Sequence, residues 1–156
     1  MAAARPNVSE DLVWEVVRSQ NAYLVNRKSG GGVRFSRDPL NLTNIHSRKN
    51  SGFSNNKAIG IQTADNNGLT ITTKKAGNAN QPAKHLANTP ISGTSHNRKV
   101  YKGVANRATL GGYRADLRAD AVARASAIRR SQRPKKDTPE RKPRGVKARK
   151  AAEKEE

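Results

Sequence analysis

Cysteine is absent from this chain of 156 residues. It therefore has no disulfide, no thiolate nucleophile and no cysteine zinc site. Aromatic residues are scarce, at one Trp, three Tyr and two Phe, so stacking on nucleobases can supply only a minor binding term. Acidic residues are outnumbered, 12 against 31 Lys and Arg, and most sit where a helix begins or near the end of the chain. A paired-carboxylate catalytic site has little to draw on. Apolar residues are thin as well. Counted with glycine they reach about 41%, against roughly 45–50% in an average soluble domain. A core spanning all 156 residues is not expected; a smaller core with basic extensions is. No apolar run approaches the ~18–20 residues of a membrane helix, and the first residues lack the charged, apolar, small-residue order of a secretory signal. The sequons at Asn7 and Asn41 accordingly carry little weight as glycosylation sites.

Catalytic and metal chemistry find no foothold. His46, His85 and His96 lie in polar, loop-like sequence without metal-ligand spacing. Ser29-Gly-Gly-Gly32 is followed by no Gly-Lys-Ser/Thr and opens no helix, so it is not a phosphate loop. No enzyme activity, cofactor, metal or small-molecule substrate is expected.

What the chain does have is positive charge. The net charge is +19 and the pI about 11.2. Such a charge repels itself unless a polyanion is near or the cations are spread along extended segments. Nucleic acid, an anionic membrane surface or an acidic protein could each supply the counter-charge. The distribution is uneven, with 12 basic and 5 acidic side chains in residues 1–97, but 19 and 7 in the last 59 residues.

The order of elements predicts an α+β fold. Residues 1–8 read as a flexible leader. Ser9 can cap a helix that carries Glu10 and Asp11 in its first turn. Trp14 and the β-branched valines of 12–17 argue for a strand, but the start signal and the lack of alternation favour a helix with Leu12, Val13, Val16 and Val17 on one face. Strands are expected at 22–25, 33–36, 58–63 and 69–73, with a hairpin turn at Asp65-Asn-Asn-Gly68. They should form one small antiparallel sheet packed with the N-terminal helix, giving an α+β body over 9–75. Residues 38–57 between them read as a long loop of the kind that is either functional or disordered. Residues 76–97 read as a polar connector with one helical turn near 82–87, residues 98–133 as a basic helical region, and 134–156, with three prolines, as an extended basic tail. Within 113–133, Leu117, Ala121, Ala125 and Ile128 fall in an arc of about 80° on a helix, a thin apolar seam beside arginines.

The basic residues come in clusters: Arg27-Lys28, Arg48-Lys49, Lys74-Lys75, Arg98-Lys99 with Lys102, Arg129-Arg130, Arg133 with Lys135-Lys136, and Arg141-Lys142 with Arg144. Any one pair is unremarkable as a solvated surface. Seven in one short chain point to contact with a large folded polyanion. No zinc finger, basic zipper or aromatic RNA-recognition motif is present. Phosphate contact and shape fit are the expected mode, and helical RNA rewards both because its deep groove hides the base edges. His46, beside Arg48 and Lys49, is a candidate for contact with a phosphate or a base.

Several stretches resemble the eukaryotic large-subunit ribosomal protein family numbered 28e. These are Leu12-Val-Trp-Glu-Val-Val-Arg18 with Tyr23-Leu-Val-Asn-Arg-Lys28, Asn41-Leu-Thr-Asn44, Ile45-His-Ser-Arg-Lys49, Tyr113-Arg-Ala-Asp-Leu-Arg118 and Arg124-Ala-Ser-Ala-Ile-Arg-Arg-Ser-Gln-Arg-Pro134. The likeness spans 10–135 in order and spacing, while 76–97 and 137–156 are individual to this chain. The resemblance implies a structural component of the cytosolic ribosome, reached by way of the nucleolus, with large-subunit ribosomal RNA and neighbouring ribosomal proteins as partners and no required cofactor. It implies that Arg18 and Lys28 flank the sheet, that Arg48 and Lys49 reach RNA from the loop, and that Arg114, Arg118, Arg124, Arg129 and Arg130 line an RNA-facing helix. Arg98, Lys99, Lys102, Arg107, Arg133, Lys135 and Lys136 complete the candidate RNA-binding set. Two other readings compete: a chromatin-associated DNA-binding protein with a basic tail, and an interaction module in which Arg133-Pro-Lys-Lys136 serves only nuclear import.

Overall fold

The computed structural model describes residues 8–29, 31–78, 81–138 and 144–152. Most of the expected leader, the stretch 139–143 and the last four residues lie outside these. In chain order the elements are α1 (Glu10–Val17), β1 (Leu24–Asn26), β2 (Arg34–Ser36), β3 (Ile59–Thr63), β4 (Leu69–Lys74), α2 (Pro82–His85), β5 (Leu86–Ile91), α3 (Asn97–Thr109), α4 (Arg118–Ser131) and α5 (Val146–Ala152).

The α+β class stands, with a different division of labour from the expected one. Four strands occur where sequence places them, but they do not share a sheet. β1 and β2 form an antiparallel ribbon, while β3, β4 and β5 form a three-stranded antiparallel sheet in that order. The third strand, β5, lies inside the stretch read as a connector. Its sequence, LANTPI, has one proline and no run of β-branched residues, so nothing local marks it as a strand. Pro90 is tolerated because β5 is an edge strand, paired only with β4. The β3–β4 turn is closed by the Gly68 N–H donating to the Asp65 carbonyl at 3.0 Å. Asn66 and Asn67 both take positive φ, 54° and 57°, the pair of left-handed residues that matches strand twist in a tight hairpin.

The core lies between this sheet and α3 and α4. Ile59, Ile61, Leu69 and Ile71 face Val100, Val104 and Ala108 of α3 and Ala121, Ala125 and Ile128 of α4, with Leu117 and Leu42 closing the ends. The seam read from 113–133 is therefore the buried face of α4. Ala121 and Ala125 are fully enclosed, which lets the helix axis sit close to its neighbours. Gly111 and Gly112, at φ 60° and 64°, turn the chain between the two helices.

The N-terminal helix contributes nothing to that core. Ser9 caps α1 as expected, its Oγ accepting from the Leu12 N–H at 3.1 Å. However, Leu12 and Val16 are left 53% and 69% exposed, while Val13, Trp14 and Val17 are half-buried. The helix is held by polar contacts to residues 38–57. That segment crosses the outer face of the three-stranded sheet at Gly60, where a Cβ would stand 2.5 Å from the Pro39 carbonyl oxygen. At the other end of the chain, residues 146–152 of the expected extended tail are helical, as α5.

Candidate nucleic-acid interface

The basic side chains fall into two populations, separated by what their nitrogens already bond. The first is engaged inside the fold. Arg114 donates to the Lys57 and Lys49 carbonyls at 2.8 and 2.9 Å and grips both Asp116 oxygens at 2.8 Å. Its side chain is only 14% exposed. Those bonds hold the Asp116 carboxyl below its ordinary pKa, against an opposing push from partial burial. Arg129 donates to Asn97 Oδ1 and to the carbonyls of Asn67, Gly93 and Ser95, all within 2.9–3.1 Å. It thus pins α4 to the β3–β4 turn and to the start of α3. Arg48 bonds Asn55 Oδ1 and the Asp11 and Glu10 carboxylates, joining the loop to α1. His46 sets Nε2 2.8 Å from the Arg18 carbonyl and lies 4.9 Å from the Trp14 ring. Arg124 is half-buried, its Nε enclosed without a hydrogen-bond partner among the described residues.

The second population points outward. Arg98, Lys99 and Lys102 are exposed on α3, within about 100° of arc opposite the Val100–Val104–Ala108 seam. Arg107 is exposed at the flank of that face, Arg118 and Arg130 are exposed on α4, and Arg133, Lys135 and Lys136 follow it, also exposed. None of these nine makes a side-chain hydrogen bond or ion pair among the described residues. Lys28 is exposed beyond the β1–β2 ribbon. Two further candidates are paired at the surface: Arg18 with Glu15 at 3.1 Å, and Lys49 with Asp120 at 3.7 Å. Exposed pairs of this kind are worth little and open readily to a better anion.

The residues that organise the loop were not marked by sequence. The buried Asp38 carboxylate accepts from Leu40, Gly52 and Phe53 N–H at 2.8–3.1 Å. Lys74, counted above only as half of a basic pair, is buried, and its ammonium donates to the Gly52, Phe53 and Asn55 carbonyls at 2.8–3.2 Å. Burial pushes its pKa down, and Asp38 and Glu10 push back up. The Tyr113 hydroxyl accepts from the Ala58 N–H at 3.2 Å and reaches the Lys74 carbonyl, and burial raises its pKa. The only available signal for these roles was the alternation of β4, which turns Lys74 to the same face as Thr72, under the loop.

Among the described residues no group of His, Asp and Glu is placed to hold a metal ion, and no helix is long and apolar enough to cross a membrane. A small α+β body tied together by its own arginines, with a second set of cations turned to solvent, defines a basic scaffold protein built to lie against a polyanion. Comparison with known proteins narrows the class. Residues 12–131 match the model of the Ribosomal L28e protein family. The chain is 44% identical over 131 residues to the large ribosomal subunit protein eL28 of Schizosaccharomyces pombe, covering 83% of this chain and 97% of the relative. It is 33% identical over 135 residues to the eL28 of Dictyostelium discoideum, covering 86% and 97%. The eL28 of Caenorhabditis elegans is 36% identical over 87 residues, 56% of this chain and 66% of that one. This chain belongs to the ribosomal L28e family, a family of eukaryotic ribosomal proteins and not of enzymes.

Proposed function

We propose that this protein is a structural constituent of the large subunit of the cytosolic ribosome, where it binds large-subunit ribosomal RNA and supports subunit assembly. The observation that carries the reading is the sorting of cations. Those that stabilise the fold are engaged inside it, and those on the outer faces of α3 and α4 and along 133–136 remain without partners among the described residues. On a chain of net charge +19, such a surface lowers its free energy by displacing counterions from phosphates. The names of the relatives, all large ribosomal subunit proteins, support the same partner. RNA contact is assigned to Arg98, Lys99, Lys102, Arg107, Arg118, Arg130, Arg133, Lys135 and Lys136, with Lys28 at a second, smaller site.

A neighbouring ribosomal protein is the suited partner for α1. Its exposed Leu12 and Val16 lie beside Asp11 and Glu15, and carboxylates next to an apolar stripe repel phosphate but accommodate a protein surface with apolar and basic side chains. Passage through the nucleolus follows from where such subunits are assembled, and Arg133-Pro-Lys-Lys136 is a suitable import signal. The test is sedimentation of the tagged protein on a sucrose gradient. Co-migration with the large subunit, together with tighter binding of structured ribosomal RNA than of duplex DNA at matched salt, is the expected result. Failure to co-migrate, or equal affinity for DNA, would overturn the reading.

A further inference from the structure

The outer face of β3, β4 and β5, α2, the loop 38–53 and Tyr23 just before β1 line an open cleft of about 540 Å³. This is large enough for a small organic group, since ligand pockets span roughly 300–1,000 Å³. Two of the six aromatic side chains in the protein meet there. The rings of Tyr23 and Phe53 lie 5.9 Å apart at 32°, and Leu40, Pro39, Pro82 and Leu86 extend the apolar wall.

The polar groups of the cleft separate as the cations do. Its two charged side chains are fully occupied within the fold, Asp38 by three backbone N–H groups and Lys74 by three carbonyls. What remains available is neutral. Thr72 Oγ1 donates to Asn88 Oδ1 at 2.9 Å, which turns the oxygen of that amide inward and leaves its NH2 for another acceptor. The Gln62 amide, the His85 ring and the Tyr23 hydroxyl make no hydrogen bond among the described residues. Burial, reinforced by the nearby Lys74 ammonium, lowers the His85 pKa, so near neutral pH the ring carries one donor and one acceptor. Among the described residues that line the cleft, a phosphate meets no free cation. An aliphatic side chain would fill the apolar wall and strand the amides, which is costly for groups removed from water. A planar heterocycle with donors and acceptors on its rim satisfies both halves.

We propose that this cleft receives one unpaired nucleobase of the bound RNA, its ring against Tyr23 and Phe53 and its edge hydrogen-bonded by Gln62, Asn88 and His85. The inference rests on the RNA-binding reading and adds to it a site that recognises a base, on the face of the sheet opposite the helices that carry the phosphate-binding cations. The nucleotide must be unpaired, because a helical base presents neither its face nor its pairing edge.

The full-length protein can be tested with two labelled single-stranded 12-mers of equal phosphate number, one of mixed sequence and one lacking bases, by fluorescence anisotropy over a range of salt. Both should bind, with the base-bearing strand tighter by about 5- to 150-fold, the range expected for one stacked base. That ratio should hold as salt rises, because the phosphate term is common to both strands. Gln62→Ala removes an exposed amide that makes no hydrogen bond among the described residues and should reduce the ratio several-fold, and Tyr23→Ala should bring it close to one, with the salt slope unchanged in both. A ratio of one in the unsubstituted protein, or a ratio that neither variant alters, would overturn the base site while leaving the RNA reading intact. Failure of both strands to bind would overturn both readings. A photo-crosslinker placed at position 62 in assembled subunits should attach to RNA, and attachment to a protein instead would also defeat the proposal.

Discussion

Replacing Arg129 with alanine should destabilise the fold, whereas the same change at Arg130, one residue along, should leave it intact and weaken RNA binding. Arg129 donates four hydrogen bonds, to one side-chain and three backbone oxygens, and joins α4 to two separate turns. A hydrogen bond to a charged donor contributes about 1.5–3 kcal/mol when its partner is otherwise left dry. At least one of these oxygens is open to water and would rehydrate after truncation, so a net loss of roughly 2–4 kcal/mol is expected rather than the full sum. For a chain of this size that is a fall in Tm of roughly 4–16 °C. Arg130 is exposed, with no partner among the described residues. Its removal should change stability by less than about 0.5 kcal/mol. It should also reduce the slope of log affinity against log salt by about 0.7–0.9, one phosphate contact. Differential scanning fluorimetry and a salt titration of binding to purified large-subunit ribosomal RNA read the two effects. An unshifted melting curve for the Arg129 variant, or a destabilised Arg130 variant with an unchanged salt slope, would refute the division into pins and free cations.

Tyr113→Phe removes a hydroxyl that ties the start of β3 to the α3–α4 corner and should cost about 1–2 kcal/mol by denaturant unfolding, with the RNA salt slope unaltered. Gly60→Val drives a side chain against the Pro39 carbonyl and should destabilise by about 1–3 kcal/mol on the same assay, since the overlying loop must shift. Acid should weaken the Arg114–Asp116 clamp. A carboxylate whose pKa is lowered on folding contributes stability above its unfolded value, 3.8, and that contribution is lost as pH falls through the lower folded value. Asp116→Asn should therefore flatten the pH dependence of stability below about pH 4, as followed by circular dichroism.

Helices α1 and α4 were legible because their signals are local, whereas α5 lies in the stretch read as an extended tail. Ser9 with Glu10 and Asp11 marks the start of α1, and the spacing of Leu117, Ala121, Ala125 and Ile128 marks the buried face of α4. The tight turn was legible from Asp65-Asn-Asn-Gly68. What stayed hidden depends on distant partners. β5 is a strand because β4 offers it an edge, and α1 is peripheral because α3 and α4, over 80 residues away, take the sheet face first. The same holds for the candidate site. Composition marks Arg114, Arg129 and Arg130 alike as basic. Only the fold distinguishes the two whose donors meet carbonyls 32 to 65 residues off from the one that meets water. Tyr113-Arg-Ala-Asp-Leu-Arg118, the stretch that carries much of the family likeness, owes its pattern to folding. Tyr113 and Arg114 tether the corner, Asp116 completes the clamp, Leu117 enters the core, and of the two arginines only Arg118 is exposed without a partner among the described residues.

Lysine acylation read by mass spectrometry, on the free protein and on the protein within purified large subunits, tests the central claim most directly. Lys99, Lys102, Lys135 and Lys136 should react readily in the free protein and become protected in the subunit, while Lys74, enclosed by three carbonyls, should stay unreactive in both. Equal reactivity of the four exposed lysines in the two states, or a Lys74 that reacts freely in the folded protein, would contradict the account.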